Sequence, residues 1–99
     1  MADIFDVIAD ATRRDILQIL LDRYESDSAV THGGTSVSEI VTALGLSQPT
    51  VSKHLKVLRE TGLVTVRPAA QKRYYAINKP ALADVAAWLS SMAGLERRP

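Results

Sequence analysis

SVSEIVTALGLSQPTVSKHLKVLRETGLVTVRPAAQKRYY, residues 36–75, decides how this chain folds. It opens on Ser36-Val37-Ser38-Glu39, a capping-box pattern in which a hydroxyl and a carboxylate satisfy backbone amides at a helix start, so a helix is expected from about Val37. Ile40, Val41 and Leu44 follow at helical spacing. Gly45 stands where a left-handed residue stops a helix, with Leu46 free to pack beneath the turn. A second helix is expected at once, with Ser47 as its N-cap, Pro49 in the first turn where a missing amide hydrogen does no harm, and Gly62 just past its end. Residues 63–67 and 72–77 are rich in β-branched and aromatic side chains around a turn expected at Pro68-Ala69-Ala70-Gln71, which is hairpin spacing. The order is helix, tight turn, helix, hairpin. That is a helix-turn-helix over 36–61 carrying a wing over 63–77, in a mainly α chain with a small β-hairpin.

On the second helix Val51, Leu55 and Leu58 recur at i, i+4 and i+7 and fix one face toward the core. At about 100° per residue, Gln48, Pro49, Ser52, Lys53 and Lys56 then point outward, and no carboxylate joins them before Glu60. A helix fits the major groove of duplex DNA, and the residues at its N-terminal end are the ones that reach base edges. Gln48 suits a bidentate pair with adenine, Thr50 and Ser52 suit bases or phosphates, and Lys53 suits guanine or phosphate. Ser36 and Ser38 at the start of the preceding helix are expected to join them. A solvated amphipathic helix would show similar polar residues, but it would not explain the tight turn, the hairpin and the sorting of charge together.

On the wing, Arg67, Lys72 and Arg73 flank the tip, where cations meet phosphates or the minor groove and position a protein without reading much sequence. An edge strand blunted with charge against aggregation would carry the same residues.

The distribution of charge says more than its total. The net charge is +1. Residues 1–46 hold three basic and eight acidic groups, residues 47–73 six and one, and residues 74–99 three and two. Cations gathered on one helix and its hairpin, above an acidic remainder, are the electrostatic footprint of a nucleic-acid binder. The 99 residues suit one domain, spanning 1–99, whose core is modest unless a partner adds surface. No run approaches the roughly 18 apolar residues that cross a bilayer, and Asp3 and Asp6 do not suit a signal peptide, so the expectation is cytoplasmic with no membrane partner. There is no cysteine, hence no disulfide, thiolate metal site or thiol redox sensor.

Outside this half the chain supplies helices. Ile4, Phe5 and Ile8 stripe a short first helix within about residues 2–10. Ile16, Leu17, Ile19, Leu20 and Leu21 make a nearly all-round apolar helix from about Thr12, expected at the centre of the core. Residues 25–35, with Gly33-Gly34 and little apolar periodicity, read as a loop. Pro80 opens a last helix, about 80–93, carrying Leu82, Val85, Ala86, Trp88, Leu89 and Met92 and ending at Gly94. The stripes on the terminal helices, Ile4, Phe5 and Ile8 with Val85, Trp88, Leu89 and Met92, are expected to pair across a two-fold axis in a homodimer. Two reading helices so related would address half-sites about one helical turn apart.

Ala9-Asp10-Ala11-Thr12-Arg13-Arg14-Asp15-Ile16-Leu17, Val37-Ser38-Glu39-Ile40 and above all residues 46–64 resemble the ArsR/SmtB group of bacterial winged-helix repressors. The resemblance implies a homodimer joined by first and last helices, bound to an inverted repeat near a promoter. It places DNA contacts on Gln48, Pro49, Thr50, Ser52, Lys53, Arg67, Lys72 and Arg73. Many members of that group sense metals through cysteines near the first reading helix or through histidine and carboxylates on the last. Here those places hold Thr35-Ser36-Val37-Ser38 and Asp84, so no metal site and no cofactor is expected, and the loop at 25–35 is longer than usual for the group.

His54, at the margin of the buried face of the reading helix, suits either a DNA contact or a bond to a neighbouring group. His32, near Glu25 and Asp27, reads as solvated loop, since one imidazole with flexible carboxylates makes a poor metal site. No nucleophile, phosphate loop or catalytic pair stands out, which excludes an enzyme. Besides a metal-independent repressor, two readings stay open: a winged-helix module docking an acidic protein, and a repressor answering to a small molecule.

Overall fold

The computed structural model describes residues 3–27 and 34–94. Five helices and a three-stranded antiparallel sheet follow in the order α1 (Ile4–Ile8), α2 (Ala11–Asp27), β1 (Thr35–Ser36), α3 (Val37–Leu44), α4 (Gln48–Glu60), β2 (Val64–Ala69), β3 (Lys72–Ile77) and α5 (Lys79–Met92).

Local chemistry sets most of these boundaries. At α3 the capping box is complete: the Ser36 hydroxyl accepts from the Glu39 amide at 3.4 Å, and the Glu39 carboxylate accepts from the Ser36 amide at 3.0 Å. That amide, first, and the Arg23 guanidinium 2.7 Å away hold the Glu39 carboxyl below its ordinary range against a partial desolvation. Gly45, with φ of 67°, ends α3. The end of α4 is a Schellman motif, in which Gly62 (φ 86°) donates to the Arg59 carbonyl at 3.0 Å and Leu63 to the Leu58 carbonyl at 3.1 Å. Leu58 and Leu63 are both fully buried, so the motif also closes the core.

The core is built from Val7 of α1, Ile16, Leu17 and Leu20 of α2, Ile40 of α3, Val51, Leu55 and Leu58 of α4, and Leu63, Val64, Tyr75 and Ile77 around the sheet. The central place expected for α2 is the observed one. Val7, rather than Ile4 or Ile8, is the residue of α1 that is fully buried; Ile4 and Ile8 flank it half-buried against the same core.

Three expectations need correction. The hairpin turn is tighter than the four residues from Pro68 to Gln71: β2 and β3 pair from Val64↔Ile77 out to Ala69↔Lys72, which leaves only Ala70-Gln71 to connect them. Proline is tolerated at position 68 because β2 is an edge strand in the order β1-β3-β2. Ala70 takes φ 58°, the conformation that two-residue hairpin connections demand. The loop at 25–35 is also shorter at both ends, since α2 runs to Asp27 and Thr35-Ser36 form β1, paired to Tyr75 and Tyr74. His32 lies outside the described residues. The wing is thus part of a three-stranded sheet. Gly34 is required beside it, because a Cβ there would lie 2.6 Å from the Tyr75 carbonyl oxygen.

Asn78 joins the wing to the last helix. Its amide donates to the Leu63 carbonyl at 2.9 Å and its side chain to the Gly62 carbonyl at 2.7 Å. The side chain is therefore spent on the end of α4 and does not cap α5.

Candidate nucleic-acid interface

Helix α4 starts where Ser47 accepts from the Thr50 amide at 3.3 Å, while its hydroxyl donates to the Thr50 hydroxyl at 2.8 Å. Gln48, Pro49, Thr50, Lys53 and Lys56 are exposed, and Ser52 is half-exposed. The Gln48 side-chain amide donates to the Ser52 hydroxyl at 3.4 Å, one turn along, so the two polar groups expected to address bases sit side by side.

The wing meets this helix across two adjoining clefts. One, of about 400 Å³, is lined by Val37, Gln48, Ser52, Lys56, Arg59, Arg73 and Tyr75. The other, of about 380 Å³, is lined by Ser36, Val37, Ser38, Val41, Gln48, Gln71, Lys72 and Arg73. Val37, Gln48 and Arg73 line both. The start of the reading helix and the base of the wing tip therefore share one surface, on which polar and basic side chains surround Val37.

The three wing cations are not equivalent. Side chains alternate faces along a strand, and directly opposed residues share a face. Arg73, opposite Pro68, shares the face of Tyr75 and Val66 that looks toward α4; Arg67, opposite Tyr74, and Lys72, opposite Ala69, share the other. Arg67 lies over the Tyr74 ring at 5.5 Å from its centroid. Lys72, next to the tip, still reaches the rim of the second cleft.

Two of the expected contacts already have partners within the chain. Ser36 is buried and its hydroxyl is spent on the capping box, so only Ser38 of that pair is exposed to a ligand. His54 is half-buried, and its Nδ1 lies 3.4 Å from Nη1 of Arg13. Arg59 and Gln71 line the clefts although sequence reasoning passed over them. Arg59 was findable: Gln48, Ser52, Lys56 and Arg59 fall at i, i+4, i+8 and i+11, a single stripe of the helix.

A second surface lies on the terminal helices. The Phe5 and Trp88 rings approach at 5.0 Å between centroids with a tilt of 51°. Phe5, Trp88, Leu89 and Met92 remain 40%, 51%, 47% and 69% exposed, and α5 contributes no fully buried residue. Val85 is half-buried at the inner edge of the same stripe. Among the described residues no helix is long and apolar enough to cross a membrane, and no group of three or more histidine, aspartate or glutamate side chains is placed to hold a metal ion.

Residues 8–67 match the family model described as a helix-turn-helix domain. The chain is 38% identical over 79 residues to the HTH-type transcriptional regulator Rv2034 of Mycobacterium tuberculosis, covering 80% of this chain and 64% of that protein, somewhat less than two thirds of its length. It is 28% identical to the transcriptional repressor SdpR of Bacillus subtilis, with 90% and 88% covered. A crystal structure of an ArsR family transcriptional regulator superposes with a TM-score of 0.73 at 28% identity, covering 97% and 94%. A homodimeric winged helix-turn-helix DNA-binding domain from Mycobacterium bovis does so with 0.64 at 27% identity, covering 93% and 76%. The matched helix-turn-helix, the wing beside it and these relatives together show that the chain belongs to the ArsR/SmtB family of winged helix-turn-helix transcriptional regulators, which are DNA-binding proteins and not enzymes.

Proposed function

We propose that the chain acts as a homodimeric repressor that binds an inverted repeat in duplex DNA, reading bases with Gln48 and Ser52 and gripping phosphates with Lys53, Lys56, Arg59, Lys72 and Arg73. The observation that carries this reading is the shared lining of the two clefts, which sets the polar start of α4 and the wing's Arg73 on one surface. A duplex engaging α4 in its major groove would meet the wing with its adjacent backbone. The homodimeric M. bovis domain and the exposed Phe5, Trp88, Leu89 and Met92 support pairing through α1 and α5. Repression follows the SdpR name. The absence of cysteine supports independence from soft metal ions, which want thiolate ligands.

The test is selection of bound duplexes from random DNA, followed by titration of variants on the selected site. Gln48→Ala or Ser52→Ala should cost roughly 1–3 kcal/mol on that site and far less on random DNA, because base contacts specify and phosphate contacts do not. Equal losses on both DNAs would remove these two residues from base reading, and failure to enrich any sequence would reject the function.

A further inference from the structure

From its place on the second helix, the Arg13 side chain reaches both the first helix and the reading helix. Its Nε donates to the Val7 carbonyl of α1 at 2.9 Å. Its backbone amide donates to the Asp10 carboxylate, which caps α2, at 3.0 Å. Its Nη1 stands 3.4 Å from Nδ1 of His54, forty-one residues away on α4. A guanidinium carries only donors, so a hydrogen bond between the two requires Nδ1 to accept, with the ring proton on Nε2. The planar fork holds its two outward contacts in fixed relative geometry, which a flexible ammonium would not. Asp10 lies near enough that the Arg13 amide, first, and then the Arg13 charge hold its carboxyl below the ordinary range against desolvation. Acid, guanidinium and imidazole thus form one cluster where three helices meet. None of the three lines the clefts that face DNA.

We infer that Arg13, acting through His54, is a positioning residue that sets the angle of the reading helix relative to the dimerisation helix, and with it the half-site spacing the dimer accepts. The inference rests on the dimeric, groove-reading function proposed above. The lever is long: α4 has 13 residues, about 20 Å of helix, so a pivot of about 10° about its C-terminal end moves its N-terminal side chains about 3.5 Å, close to one base-pair rise. Core packing at Val51, Leu55 and Leu58 holds α4 in place. The Arg13–His54 contact is what ties its outer flank to the α1–α2 junction.

The experiment uses the full chain and three duplexes: the selected two-half-site operator, the same operator with its spacer changed by one base pair, and a single half-site. His54→Ala carries the test, because it leaves the Arg13 bond to Val7 intact; sedimentation and thermal unfolding confirm that the variant stays dimeric and folded. Expected is about a five- to tenfold loss on the operator, a narrowed preference for the native spacer, and half-site affinity within about twofold of wild type. His54→Gln, whose amide oxygen still accepts, should restore most of the spacer preference. Arg13→Ala should narrow the preference as His54→Ala does, and the double variant should lose no more than the Arg13 single, since both remove the same link. An equal loss on the half-site would overturn the inference by making His54 a DNA contact, and so would an unchanged spacer preference in His54→Ala or additive losses in the double variant. Should wild type bind the operator no better than a half-site, the dimeric reading itself fails and this inference with it.

Discussion

Replacing Trp88 by alanine tests the dimer directly, and its size can be worked from exposure. Trp88 is 51% exposed in the isolated chain. A large aromatic buries up to about 250 Å², so about 125 Å² remains to be covered on each protomer, worth about 3 kcal/mol at about 25 cal/mol per Å². A two-fold axis counts the residue twice, giving an upper bound of about 6 kcal/mol per dimer, of which association retains only part. Even half of that bound raises the dimer dissociation constant by about a hundredfold. Phe5 leans on Trp88 at 5.0 Å, so the truncation also uncovers a second aromatic already 40% exposed. Sedimentation equilibrium from about 1 to 100 μM should therefore show wild type as dimer and Trp88→Ala shifted strongly to monomer, with operator affinity falling through lost bivalency. A Trp88→Ala dissociation constant within threefold of wild type would refute the placement of the interface, and a wild-type monomer at the highest concentration would refute the dimer.

Four further outcomes follow from the geometry. Arg73→Ala should lower the steepness of the salt dependence of DNA binding by about one unit while Arg67→Ala lowers it less, because Arg67 lies over Tyr74 on the other face of the hairpin; equal slopes for the two variants would contradict the division of faces. Gly34→Ala sets a Cβ 2.6 Å from the Tyr75 carbonyl, a backbone clash that side-chain motion cannot relieve, so it should cost about 1–3 kcal/mol in urea unfolding, and a cost below about 0.5 kcal/mol would show that β1 can be displaced freely. Glu39 and Asp10 have folded-state pKa values below their unfolded ones, so their contribution is complete above the ordinary carboxylate range and is lost as pH falls through the lowered values. Glu39→Gln should accordingly differ from wild type in stability near neutrality and converge with it only as pH falls through the lowered carboxyl value, a gap that persisted in strong acid being evidence against a charge effect. Stoichiometric zinc, nickel or copper should leave operator affinity within about twofold, with His32→Ala controlling for adventitious binding, and a reversible tenfold loss that survived in that variant would reveal a metal site.

What the sequence disclosed was mostly what neighbours in sequence decide. The capping box at Ser36, the left-handed Gly45, the Ser47 cap and the Gly62 terminus each involve residues a few positions apart, and all four appear as read. The buried triad of Val51, Leu55 and Leu58 follows from period alone. The wing tip was less legible because Pro68 and Ala69 carry turn-forming propensity yet lie in a strand; the edge position of β2, a property of the sheet, overrides the local preference. The two-residue strand at Thr35-Ser36 has no periodicity to read, and only its pairing with Tyr75 and Tyr74 makes it a strand.

The division of labour among polar residues was hidden for the same reason. Ser36 and His54 have the same types as side chains that contact DNA, and their positions on the helices permit it. The Ser36 hydroxyl meets the amide of its own capping box, and His54 has Arg13 beside it, a neighbour that spacing on α4 could never disclose. Arg67 and Arg73 likewise look alike in sequence, separated by a turn. A connection of two residues instead of four sets Arg67 opposite Tyr74 rather than Lys72, while alternation along β3 keeps Arg73 on the face of Tyr75, toward the reading helix. The contacts that decide function in this chain are therefore set at the junctions between elements, while the elements themselves are set locally.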